Sequence, residues 1–214
     1  MTNRPLTRWT RGTRGLLAAL LLAAGAAPAA GAEEDRPAAA RAVVQTAMDQ
    51  VMAVLADGAV APGAKRGRIE KIAYEHFDFD TITRLVLAKN LPKLSPEQRA
   101  DFLTEFKQHL SLAYGRRLES AKDEKIEVLG ARPETKGDVT VKTVVRGGKA
   151  DGVTIDYRMR EKAGAWQVID VVIENVSLVS NFRSQVQEIV SSKGADSLIE
   201  TLRQKNQKAA ATET

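Results

Sequence analysis

Few residues in this chain are equipped for chemistry. There are two histidines, no cysteine, and three tyrosines in 214 residues. His76 and His109 lie 33 residues apart, and neither has carboxylates around it at metal-ligand spacing. No Gly-x-Ser-x-Gly elbow is present. The stretch from Gly58 to Lys65 faintly resembles a phosphate loop, but its lysine is displaced and no Ser or Thr follows it. One constellation remains, Asp170 with Tyr157, on what the periodicity predicts to be adjacent strands. A carboxylate base and a phenolic donor can abstract and return a proton in an apolar pocket, as in an isomerase. The alternation places Asp170 on the face of Trp166 and Val168, opposite the smoother apolar face, which favours a structural carboxylate. Catalytic residues are therefore read as none, and no metal or other cofactor is implied.

The elements that would position these residues begin with a segment expected to be removed. Residues 1–32 carry Arg4, Arg8, Arg11 and Arg14 with no acid, then an apolar run from Leu16 to about Ala24, then Ala30-Gly31-Ala32. A positive start, a short apolar stretch and a small-x-small end describe a signal peptide cleaved after Ala32. The run is too short, and too broken by Gly25 and Pro28, for a spanning helix. The product is expected to be free in solution outside the cytoplasm. Four of the five net positive charges leave with this segment, and with them the main support for a nucleic-acid partner. Without cysteine there is no disulfide staple, so stability rests on an ordinary core, here one domain over residues 33–204.

Val44, Met48, Val51 and Leu55 recur at helical spacing from Pro37 to Ala56, and Asp57-Gly58 ends the pattern. A short helix follows around Arg66–His76. Asp80 is the expected N-cap of the next, which carries Ile82, Leu85 and Val86. Ser95-Pro96-Glu97-Gln98 is a capping-box start for a helix to about Ser120, striped by Leu103, Phe106, Leu110, Tyr114 and Leu118. Gly115 inside it points to close packing or a bend. The period then changes to two. Ile126–Val128, Val139–Arg146, Val153–Arg160 and Trp166–Ile173, joined by short glycine-containing turns, predict a four-stranded antiparallel meander. Trp166, Val168 and Val172 make the fourth strand apolar on both faces, so part of its second face should be covered by a helix. Two helices follow, the first ending at Gly194, and residues 205–214 are expected to be a disordered tail. The fold class is α+β with segregated layers.

Three segments, FDFDTITRLVL from Phe77, LSPEQRADFLTEFKQHL from Leu94, and WQVIDVVIENVSLVSNFRSQV from Trp166, resemble the MlaC family. These are periplasmic phospholipid-carrying, toluene-tolerance proteins, and the likeness runs over residues 38 to 206. The resemblance implies a four-stranded antiparallel sheet wrapped by helices around a deep apolar pocket, with acyl chains inside and the head group at the mouth. It implies that Phe106, Leu110, Tyr114, Tyr157 and Val171 line the pocket, residues whose spacing alone reads as core. It also implies phospholipid cargo shuttled between two partners: an inner-membrane ABC complex with a lipid-binding ring protein, and an outer-membrane lipoprotein–porin complex. A hopanoid or other apolar lipid is the alternative cargo, and an isomerase-like enzyme using Asp170 and Tyr157 the alternative class. Lys89, Lys93, Arg116 and Arg117 read as solvated faces. Two departures from the family pattern stand out. Ala88-Lys89-Asn90-Leu91 replaces a glycine and an aromatic, and Phe182 and Val186 stand where Tyr and Phe are common.

The processing expectation is direct: N-terminal sequencing of periplasmic material should return Glu33, and the protein should stay in the supernatant without detergent. Recovery of Met1 in the membrane pellet would refute it.

Overall fold

The computed structural model describes residues 30–119, 121 and 124–211, so residues 1–29, the bulk of the expected signal segment, lie outside the described residues. Helices α1 (Ala30–Ala56), α2 (Pro62–His76), α3 (Phe79–Leu87) and α4 (Pro96–Glu119) come first. The strands β1 (Lys125–Pro133), β2 (Val139–Arg146), β3 (Thr154–Lys162), β4 (Ala165–Ile173) and β5 (Val176–Ser177) follow, and α5 (Leu178–Lys193) and α6 (Ala195–Ala211) close the chain. Among the described residues no helix is long and apolar enough to cross a membrane.

The helix starts follow from capping. At α4 the expected box forms: the Gln98 amide donates to Ser95 Oγ at 3.2 Å, and the Ser95 amide to Gln98 Oε1 at 2.8 Å. Gly115 marks close packing, because a Cβ there would come within 2.9 Å of Arg66 Cδ on α2. At α3 the cap is Asp78 and not Asp80. Its carboxylate accepts from the Thr81 amide at 2.9 Å and the Thr81 hydroxyl at 2.6 Å, while Lys162 Nζ sits 2.9 Å away. Burial pushes the Asp78 pKa up, but these donors outweigh it and hold the carboxyl below its usual range. The expected tail is also corrected. Helix α6 runs on to Ala211 because Asn206, 1% exposed, donates to the Glu105 carbonyl at 2.9 Å and to Glu105 Oε2 at 3.0 Å.

The sheet has five strands where four were expected, in the order β1-β2-β3-β4-β5 and antiparallel throughout. The additional strand, β5, is two residues long. It pairs with the end of β4 through a hairpin whose central residues, Glu174 and Asn175, have φ of 48° and 65°. Positive φ at both positions makes a type I′ turn, whose twist matches the strands it joins. Ala163-Gly164 makes the same kind of turn between β3 and β4. On one face Val139, Val141, Tyr157, Met159, Trp166 and Val168 pack under Ala40 and Val44 of α1. The other face carries the Asp138 carboxylate, fully buried, held by Arg160 Nε at 2.7 Å and an Arg158 nitrogen at 2.9 Å. Desolvation raises that carboxyl's pKa, and the Arg160 and Arg158 guanidiniums more than reverse it.

A second core is built mainly from helices. Phe79, Ile82, Val86 and Leu87 of α3 meet Phe102 and Phe106 of α4, Val179, Val186 and Val190 of α5, and Leu198, Ile199 and Leu202 of α6. Ridge-forming residues at i and i+4 on each helix produce this bundle. Each fully buried Phe contributes about 1.5–3 kcal/mol over leaving it in water.

Between α3 and the 3-10 turn at Ala88–Lys93 the chain takes a conformation that alanine resists. Ala88 sits at φ 46°, ψ −121°, while its amide still donates to the Arg84 carbonyl. A Cβ there clashes with its own backbone, and glycine avoids that penalty. This explains why glycine suits the position and why alanine marks a departure. Ala88→Gly should raise stability by about 1 kcal/mol, read as a higher urea midpoint and a melting temperature about 2–4 °C higher. A lower midpoint would show that the strain is not real.

Candidate functional site

The five residues that the resemblance implied fall in different places. Phe106, 2% exposed, lies in the helical core, stacked on Phe102 at 5.5 Å and edge-on to Phe182 at 5.0 Å. Leu110 packs on the same core, partly buried. Tyr157 lies in the sheet core, directly opposite Val171 across the β3–β4 pair. Tyr114, near the end of α4, is half-buried, and burial pushes its phenol pKa up. The structure therefore joins Phe106 with Leu110, and Tyr157 with Val171, but gathers no single cluster from all five.

The link between the cores is a residue the sequence reading passed over. Phe77 packs against both clusters. It stacks on Phe79 at 5.8 Å, and its backbone forms a parallel bridge with Val168 of β4. The Asp78 amide donates to the Val168 carbonyl at 3.0 Å. The signal was present in FDFD: two aromatics two residues apart, ahead of a helix cap, read as a short extended segment rather than the end of a helix.

A small cavity borders the helical core, and a groove lies beside it. The cavity, about 20 Å³, lies among Phe102, Phe106, His109, Phe182 and Leu198 and has room for about one water. His109 is half-buried there, edge-on to Phe182, with Nδ1 3.2 Å from Asn206 Oδ1. Burial lowers its pKa, only partly opposed by the Asn206 contact. The groove, about 430 Å³, runs between α2 and α4. His76 is in neither; its Nε2 lies 3.1 Å from Gln50 Oε1 on the flank of α1. No group of three or more potential metal ligands forms among the described residues.

The proton-transfer constellation does not assemble. A bulge between Arg158 and Met159 leaves Ile169 of β4 unpaired, and Asp170 pairs with Arg158 while Val171 pairs with Tyr157. The bulge reverses the alternation, so Asp170 lies on the opposite face from Trp166 and Val168, correcting the expected placement. Neighbouring pairs point to opposite faces, which puts Asp170 across the sheet from Tyr157. Asp170 is instead occupied at the start of α5. It accepts from the Ser177 hydroxyl at 2.5 Å and from the Val179 amide at 3.0 Å. Ser177 in turn accepts from the Ser180 amide at 3.0 Å. Tyr157 is 8% exposed, its hydroxyl donates to Met48 Sδ at 3.8 Å, and burial pushes its pKa up to about 12.

Residues 45–204 match the family described as MlaC protein. The chain belongs to the MlaC family. Among MlaC relatives, the toluene tolerance protein Ttg2D of Pseudomonas putida is 25% identical over 136 residues. That alignment takes in 63% of this chain and 63% of the relative, so the chain spans under two thirds of the length of this curated protein. A phospholipid-binding protein from Ralstonia solanacearum, solved in complex with a phospholipid, superposes with a TM-score of 0.72 at 23% identity. The superposition covers 80% of this chain and 98% of that one, and establishes the shared α+β fold. The MlaC stretch from Trp166 to Val186 now has a physical content. Its Asp170 and Ser177 cap α5, Glu174 and Asn175 make the hairpin, and Arg183 Nε donates to the Leu85 carbonyl at 2.8 Å, tying α5 to α3.

A structural Asp170 makes a specific expectation. Asp170→Asn keeps one acceptor but turns an N–H toward Ser177, costing about 1–2 kcal/mol of stability. Chemical denaturation should show that loss, with ligand occupancy of the folded fraction unchanged. A variant of wild-type stability that lost a turnover seen in the parent would restore the isomerase reading.

Proposed function

We propose that this chain is a soluble periplasmic carrier of phospholipid, exported on a signal peptide cleaved after Ala32. The observation that carries this reading is the division of the apolar interior into two cores, one helical and one under α1, touching through Phe77. A two-part interior offers a seam that acyl chains can occupy without unfolding either half. Phe106, Leu110 and Tyr114 would wall it from the helical side, and Tyr157 and Val171 from the sheet side, making the deep apolar pocket. The phospholipid complex of the Ralstonia solanacearum protein supports the same cargo.

In this reading the protein binds and releases but does no covalent chemistry. Its partners would be the lipid-binding ring protein of an inner-membrane ABC complex on one side and an outer-membrane lipoprotein–porin complex on the other. Each buried methylene contributes about 0.8 kcal/mol, so loss of a two-chain lipid to water is negligible. Transfer to another apolar groove is nearly balanced.

Native mass spectrometry of protein purified without detergent should show bound phospholipid, with chain length restricted more tightly than head group. Leu110→Trp and Val171→Trp, one on each wall, should lower occupancy while keeping a cooperative melt. If both variants instead lose about 1–3 kcal/mol of stability, as overpacked cores do, and the wild type is repeatedly lipid-free, the carrier reading fails.

A further inference from the structure

The groove between α2 and α4 has a composition unlike the two cores. Its α2 wall is Arg66, Glu70 and Tyr74, and its α4 wall includes Thr104, Lys107, Gln108 and Ser111. Both sets follow helical spacing, so each presents one continuous stripe to the other. Two cations face one carboxylate, and that carboxylate is engaged: Glu70 accepts from the Ser111 hydroxyl and lies 4.0 Å from Arg66 Nε. Lys107 is placed differently. Its ammonium rests 4.8 Å from the Tyr74 ring centroid and 5.0 Å from that of Phe79. Aromatic faces hold a cation in position without neutralising it. The Thr104 hydroxyl donates to the Ala100 carbonyl at 3.1 Å and the Ser111 hydroxyl to Glu70, so the groove offers an oxyanion the positioned Lys107 ammonium and the Gln108 amide.

The floor of the groove leads toward the proposed cargo site. Tyr74, 45% exposed, meets Phe79 edge-on at 5.5 Å, and Phe79 stacks on Phe77, which touches both cores. A molecule with an anionic group beside Lys107 and a hydrocarbon part following these rings would reach the seam. At about 430 Å³ the groove is within the range of small-molecule sites.

We infer that the α2–α4 groove receives the phosphate of the carried glycerophospholipid, with Lys107 as its cation and the Gln108 amide as its donor. This rests on the carrier reading. The groove recognises the phosphodiester that these lipids share and leaves the attached alcohol unread, so it is compatible with loose head-group selection.

The test uses delipidated protein and two probes with identical acyl chains, phosphatidylglycerol and diacylglycerol. Lys107→Gln should weaken phosphatidylglycerol about ten-fold and leave diacylglycerol unchanged, with the difference shrinking in high salt. Lys149→Gln, in the exposed β2–β3 turn, should change neither. Thermal melts verify folding, and if Lys107→Gln does not fold, Gln108→Leu, at an exposed position of α4, serves in its place with an expected loss of about three-fold. Equal losses for both lipids, or no loss for either, overturn the assignment while the carrier reading stands. Competition by millimolar inorganic phosphate as effective as that by the lipid overturns it in favour of a free-phosphate site. If wild type binds neither lipid, the carrier reading fails as well.

Discussion

Of the bundle helices, α3 and α5 meet the sheet along one edge of one strand, β4. Strand β4 pairs with β3 on one side over its whole length. Its other side is shared between two short visitors. Phe77-Asp78 takes the position at Val168, and β5 takes Val172 and Ile173. Both visitors are also the starts of helices. Asp78 caps α3, and Ser177 caps α5 with Asp170 of β4 behind it. The backbone bonds that complete the sheet edge therefore also fix where the helical bundle begins, twice, a few residues apart. Sheet edges left unpaired are liabilities, and here the covering is what assembles the fold.

That arrangement explains why there are two apolar cores and not one. Helices launched from a strand edge lie beside the sheet, while α1 alone lies across its apolar face. The bundle must then satisfy its own apolar stripes, which it does through the Phe102–Phe106–Phe182 contacts and the ties of Arg183 to Leu85 and Asn206 to Glu105. Among the described residues, Phe77 occupies the position where both demands meet. A larger single core would bury a greater fraction of its surface, but it would have no internal boundary of this kind.

How much of this was legible in the sequence depended on whether a residue's neighbours carried phase information. Ser95-Pro96-Glu97-Gln98 specifies its own geometry, and the cap formed as read. The meander was legible because Val139–Arg146 and Val153–Arg160 alternate. Trp166–Ile173 does not alternate, being apolar at nearly every position, so nothing in it marked the bulge at Ile169. A one-residue slip moves every later side chain to the other face, and Asp170 was misplaced for that reason alone. Strand β5 was missed because two residues cannot show a period. Asp78 and Asp80 are equally good caps by type, and the choice was made by tertiary contacts, Lys162 and Val168, which lie far along the chain. The candidate pocket residues were read on the right elements, but helical spacing cannot say which of two cores a helix faces.

The strained turn after α3 shows how the same constraints reach past the sheet edge. Ala88 takes a glycine conformation, and two residues on Asn90 is 1% exposed, donating to Gln187 of α5 at 3.1 Å. The chain must reverse sharply enough to bring Asn90 to α5 and Leu94 back into the helical core. Such a turn would normally recruit glycine, yet alanine is held there because α3 is fixed at its start by Asp78 and near its end by Arg183. With both ends of α3 anchored, the strain cannot be relieved by moving the helix and is absorbed in a single residue. Local strain of this kind persists only where the surroundings over-determine the backbone. Here they do so because α3 lies between the strand edge that launches the bundle and the helix that closes it.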